Sequence, residues 1–160
     1  MRINFYDTRL TDDDRTILIK EKGINYESAN MICPEEIFTM LKNLLHMDEL
    51  AEEHCYLLAF NGFYKIIGIF LLSKGTVSGS LVSPREIYIR ALLIGAVQII
   101  LCHNHPSGCV APSRADIELT KRIISAGELI NIRLADHIIV SRDCYFSFEE
   151  ADLLRKELSE

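Results

Sequence analysis

The stretch Val97-Gln98-Ile99-Ile100-Leu101-Cys102-His103-Asn104-His105-Pro106-Ser107-Gly108, followed by Ser113-Arg114-Ala115-Asp116, decides how the rest of the chain is read. Val97 to His103 is a β-branched apolar run suited to a buried strand, and Pro106-Ser107-Gly108 ends it in a tight corner. Ser113 then caps a helix that the pattern carries to about Ala126, with Gly127 near its end. Side chains alternate along a strand, so His103 and His105 project from the same face. A strand–corner–helix turn brings Asp116, in the helix's first turn, back towards the strand's end. Two imidazoles and a carboxylate suit a divalent ion, zinc (Zn2+) above all, and leave a fourth position for water as in catalytic zinc sites. The same residues admit a purely structural reading. Histidines beside a turn are often just hydrogen-bonded in place, and Ser113-x-x-Asp116 also describes a serine cap with an acid favouring the helix dipole.

Working outward, Ser83-Pro84-Arg85-Glu86 reads as cap, first-turn proline and capping box for a helix through about Gly95. Cys55–Phe60 and Lys65–Ser73 read as strands of a hairpin around Asn61-Gly62. Gly75–Gly79 reads as a turn and Ser80–Val82 as a short strand. Cys33-Pro34-Glu35-Glu36 opens a helix whose apolar face is Ile37, Met40, Leu41, Leu44 and Leu45. Thr16–Lys20 and Tyr26–Met31 suggest short edge strands around a turn at Gly23. Ile132–Ser141 and Tyr145–Phe148 read as closing strands, and Glu149–Leu158 as a C-terminal helix. The expected fold is α/β (α+β): helices sandwiching a mixed or antiparallel sheet.

The 160 residues suffice for one domain, and 49% hydrophobic content with 8 Gly and 4 Pro describes a chain with a real core. A net charge of -6 speaks against unassisted binding to nucleic acid. The N-terminal stretch has no apolar signal core, and Ala91–Cys102, the longest apolar stretch, is too short to span a bilayer. Five cysteines at irregular spacing, with no C-x-x-C, fit a reducing cytoplasm. Most read as small buried hydrophobes, with Cys109 the exception because its neighbours are polar and Pro/Gly-rich.

His103-Asn104-His105-Pro106-Ser107-Gly108 with Ser113 and Asp116 resembles the H-x-H-P-x-G-x4-S-x2-D signature of JAB/MPN-type (JAMM) metalloproteases. Leu134-Ala135-Asp136-His137-Ile138-Ile139-Val140 narrows the likeness to the RadC-like branch, from about Pro34 to Phe148. The resemblance implies an MPN fold, a curved sheet sandwiched by helices with the zinc site at its edge. Residues 1–32 would be an N-terminal extension packed on the domain or on a partner, and 33–160 the domain itself. It also implies a glutamate base at the start of an early strand, matched best by Glu53, with Glu52 as its neighbour. Ser113 would combine two jobs, accepting the Asp116 N–H as a cap while its own proton stays free for an oxyanion. RadC proteins typically carry a helix-hairpin-helix region, for which this chain has no room. Cys109 departs from the small or acidic residue expected after the Gly. For Asp136-His137 the bland reading, one inward and one outward, is preferred to support of a ligand histidine from behind.

The leading functional expectation is a cytoplasmic, zinc-dependent peptidase or isopeptidase with a peptide or protein substrate. A non-proteolytic accessory module in DNA repair, recombination or mobile-element biology is the alternative. A metal-dependent nuclease comes third, because one zinc and net negative charge suit it poorly.

Overall fold

A computed structural model describes residues 1–27, 31, 33–75 and 82–156, the last two by backbone alone. Its strands are β1 (Arg2–Leu10), β2 (Thr16–Asn25), β3 (His54–Phe60), β4 (Ile66–Lys74), β5 (Gln98–Asn104), β6 (Arg133–Val140) and β7 (Tyr145–Ser147). Its helices are α1 (Pro34–Leu45), α2 (Pro84–Ile94), α3 (Arg114–Ile130) and the short α4 (Leu153–Lys156). The strands form one mixed sheet in the order β2-β1-β4-β3-β5-β6-β7. Pairs β1·β4 and β5·β6 are parallel and the other four antiparallel. This is the JAB/MPN-type arrangement that the resemblance implied.

Alternation along β3 and β5 divides the core. Cys55, Leu57, Ala59, Ile99 and Leu101 pack with Ile87, Tyr88 and Ala91 of α2 and Ile123 and Ile124 of α3. Leu58, Phe60, Ile100 and Cys102 face the other way, against Ile37, Met40 and Leu41 of α1. Both faces of the central strands are therefore covered, which is why β5 reads as a continuous apolar run. The parallel β5–α3–β6 crossover brings the start of α3 to the C-terminal end of β5.

Several boundaries differ from the sequence reading. β1 was not expected, and Gly23 lies inside β2, opposite Asn4, rather than at a turn. A Cβ on Gly23 would sit 2.7 Å from the Asn4 side-chain oxygen and 2.9 Å from Arg2 Nε, so this glycine marks a close approach within a strand. The β3–β4 hairpin turns over residues 61–65. Asn61 Oδ1 accepts the Phe63 and Lys65 N–H groups, and Tyr64, not Gly62, takes the left-handed conformation. α3 continues past Ala126 to Ile130 and closes on left-handed Asn131. Gly127 is a helix-interior residue, because a Cβ there would strike the Tyr88 hydroxyl and the Ile132 carbonyl. The C-terminal helix starts later than expected: residues 149–152 form turns before α4. The expected strands at Tyr26–Met31 and Ser80–Val82 and the turn at Gly75–Gly79 fall partly outside the described residues, as does the helix end at Leu158. Among the described residues, no helix is long and apolar enough to cross a membrane.

Candidate metal centre

His103 near the end of β5 and His105 just after it supply two imidazoles, and the first turn of α3 adds a carboxylate. His103 Nε2 lies 3.0 Å from His105 Nε2 and 3.2 Å from Asp116 Oδ1, and His105 Nε2 lies 3.6 Å from Asp116 Oδ2. One ligand atom from each of the three residues falls within 4.8 Å of the others. His103 and Asp116 are buried and His105 is half-buried. His105 Nδ1 is 2.7 Å from the Cys109 carbonyl, which can only accept, so this nitrogen carries a proton and Nε2 is the atom turned to Asp116. The arrangement could hold a metal ion.

The charges agree. Burial alone would raise the Asp116 pKa, but hydrogen bonds from His103, His105 and Ser113 outweigh it and hold the carboxyl well below the usual range. The hydrogen bond to Asp116 raises the His105 pKa against the effect of burial, and the field of Glu53 adds to it.

A further layer lies behind His103. Its Nδ1 is 2.9 Å from Nε2 of His137 on β6, and His137 Nδ1 is 2.7 Å from Thr120 Oγ1 on α3. The Thr120 hydroxyl donates to the Asp116 carbonyl at 2.6 Å. The His137 ring is fully buried and stacked on Phe148, with 4.8 Å between centroids.

The acids lie just before β3, beyond the antiparallel β3–β5 ladder, whose first pair is Cys55 with His103. Glu53 is half-buried and its field acts on His105, while Glu52 is exposed. Asn104, buried between the two histidines, fastens this segment. Its Oδ1 accepts the His54 N–H at 2.7 Å, and its Nδ2 donates to the carbonyls of Glu52 (3.0 Å) and Leu50 (3.4 Å).

The profile of the RadC-like JAB domain matches residues 31–153. The chain belongs to that family. It is 38% identical over 130 residues to a UPF0758 protein of Clostridium acetobutylicum, covering 81% of this chain and 56% of that one. It is 36% identical over 136 residues to a UPF0758 protein of Caldanaerobacter subterraneus (85% and 56%), and 51% identical over 89 residues to one of Finegoldia magna (56% and 40%). The chain thus spans about half the length of these relatives. The whole β1–β2 hairpin precedes the matched region.

Within this RadC-like domain some expectations need correcting. The Ser113 proton is not free: Ser113 Oγ donates to Asp116 Oδ2 at 2.7 Å, and the Ser113 N–H donates to the same oxygen at 2.7 Å. An ionised carboxylate is the stronger acceptor, and Ser113 Oγ meanwhile accepts the Asp116 N–H at 3.1 Å. Ser113 therefore orients Asp116. Of the five cysteines only Cys55 and Cys102 are buried, while Cys33, Cys109 and Cys144 are exposed. Cys109 meets the site through its backbone carbonyl.

Nor does Asp136-His137 divide into inward and outward positions, because both are buried, on opposite faces of the sheet. Asp136 accepts from Ser147 Oγ (2.6 Å) and from the N–H groups of His137 (2.7 Å) and Glu149 (3.0 Å). Burial pushes its pKa up to about 6 despite these bonds. Between about pH 4 and 6 the native state therefore holds a proton that the unfolded chain has released. Stability from this group is full below that window and is lost as pH rises through it. In urea unfolding, Asp136→Asn is expected to gain on the parent by about 2 kcal/mol from pH 4 to pH 7. A difference that stays flat with pH would contradict this.

Proposed function

We propose that this RadC-like domain is a zinc-dependent hydrolase of amide bonds, a peptidase or isopeptidase acting on a peptide or protein tail. One observation carries the reading: two imidazole Nε2 atoms and an ionised carboxylate converge at the C-terminal end of β5, 3.0 to 3.6 Å from one another. The donor set fits zinc, because borderline-soft imidazole and a single carboxylate are typical partners for that ion. His103, His105 and Asp116 would hold it. Zinc there would supply a Lewis acid and a water acidified to a pKa of about 7.

The remaining work falls to the chain's own groups. The Glu53 carboxylate, near enough for its field to act on His105, would take a proton from the attacking water and return it to the leaving amine. Ser113 holds Asp116 in its ligating orientation, and Asn104 holds the Glu53 segment against β5. The net charge of -6 suits a peptide substrate better than a phosphodiester.

The test begins with elemental analysis after zinc loading and dialysis, where about one zinc per chain is expected. A screen of peptides and isopeptide-linked substrates should then find cleavage abolished by a chelator. A chain that takes up no zinc would overturn the metal assignment. Uptake without chelator-sensitive amide cleavage would overturn the hydrolase assignment.

A further inference from the structure

We propose that the free edge of β2 pairs with the same edge of a second copy of this chain, antiparallel and centred on Leu18, so that one sheet runs through both. β2 ends the strand order, and among the described residues no strand continues the ladder beyond it. The hairpin fixes which of its backbone groups face outward. The Thr11 N–H donates to the Arg15 carbonyl at 2.9 Å, which makes these two residues a hydrogen-bonded pair at the β1–β2 turn. Counted from there along the register, Arg9·Ile17 and Asp7·Ile19 bond across the hairpin, whereas Leu10·Thr16, Thr8·Leu18 and Tyr6·Lys20 do not. The amide and carbonyl groups of Thr16, Leu18 and Lys20 therefore point away from β1. Beyond Lys20 the register shift between Phe5 and Tyr6 breaks the regular edge.

Only one two-fold register uses all three outward residues. Leu18 against Leu18 of the second copy sets Thr16 against Lys20 and Lys20 against Thr16, for about six backbone hydrogen bonds. Centring on Thr16 would need the turn residues Asp12 and Asp14 as strand, and centring on Lys20 would set two lysines directly opposite each other. Side chains agree with the Leu18 register. Ile17 meets Ile19 of the second copy, and Ile19 meets Ile17, in the closely spaced pairs that exchange no backbone bonds. These two isoleucines are 39% and 37% exposed, so a partner strand would cover apolar surface that the single chain leaves open. Charge agrees as well. The exposed acidic turn Asp12-Asp13-Asp14 of each copy comes beside the exposed Lys20 and Lys22 of the other. β1, β4 and β3 separate this edge from β5, so the metal centre takes no part in the contact.

The test uses the full chain. Light scattering should give a mass that rises with concentration from one chain towards two. Hydrogen exchange followed by NMR should show the Thr16, Leu18 and Lys20 amides slowing over the same range. Those of Ile17 and Ile19, already bonded to β1, should not follow. Ile19→Lys should weaken association about tenfold, and Lys20→Glu, which sets an acid beside the acidic turn, by a similar factor. A single-chain mass up to millimolar concentration would overturn the proposal. So would a dimer that leaves the Thr16, Leu18 and Lys20 amides exchanging freely, or parental association in both variants. Should a variant not fold, the mass and the exchange pattern of the parent decide.

Discussion

Glu53→Gln is expected to lower amide hydrolysis about 10²–10⁴-fold, the range typical for removing a general acid–base group, while about one zinc ion per chain stays bound. Glutamine keeps the size and the hydrogen-bonding reach of glutamate but cannot accept a proton at neutral pH. Neither the zinc ligands nor the β3–β5 ladder depends on this carboxylate, because Glu53 precedes the first ladder pair and His103, His105 and Asp116 converge without it. Rate loss with retained stoichiometry is thus the signature of a base. The parallel variant Glu52→Gln is expected to be near-neutral, since Glu52 is exposed. Normal turnover in Glu53→Gln, or a matching loss in Glu52→Gln, would refute the assignment of the base.

Asp116→Asn should weaken zinc binding by more than the roughly 10–100-fold that losing a supporting group costs, because here a ligand and its charge disappear. The helix start should survive, since Ser113 Oγ would still accept the backbone N–H of residue 116. The site would not. An amide in either orientation loses the anion that faces both imidazoles at 3.2 and 3.6 Å. The His105 pKa, raised chiefly by its bond to Asp116, should fall in the variant. Dye competition for zinc measures the first effect and proton NMR of the histidine rings the second. Parental zinc affinity in this variant would remove Asp116 from the ligand set.

How much of this could be read from the chain itself differs from element to element. β5, α2 and α3 were legible because their signals are local: an uninterrupted β-branched run, then serine caps followed by proline or an acid at fixed offsets. The meeting of His103, His105 and Asp116 followed from the same local logic, since one strand, one corner and one helix carry all three. β1 was hidden by a register shift between Phe5 and Tyr6, which breaks the two-residue alternation that begins at Ile3 and Phe5. Gly23 misled because glycine marks both turns and close approaches, and only the partner strand tells them apart. Asn104 and Thr120 were missed, and support of a ligand histidine by Asp136-His137 was passed over, for another reason: their partners lie far off along the sequence, so no spacing rule links them. Two faint signals existed. Thr120 stands one helical turn after Asp116, and His137 is a lone imidazole in an apolar run that ought to be buried. Ser113 shows the reverse failure, where the cap was legible but the hydroxyl's allegiance depended on which acceptor lay nearer.

β5 lies inside the sheet, with β3 on one flank and β6 on the other, and its two faces carry separate cores. Residues on such a strand exchange their amide protons only when the whole domain comes apart. The imidazole pair accordingly inherits the rigidity of the entire molecule, unlike the ligands of a zinc finger, which are disordered until the ion arrives. Chelation should therefore extract an ion from a scaffold that stays folded, leaving a shape ready to be reloaded.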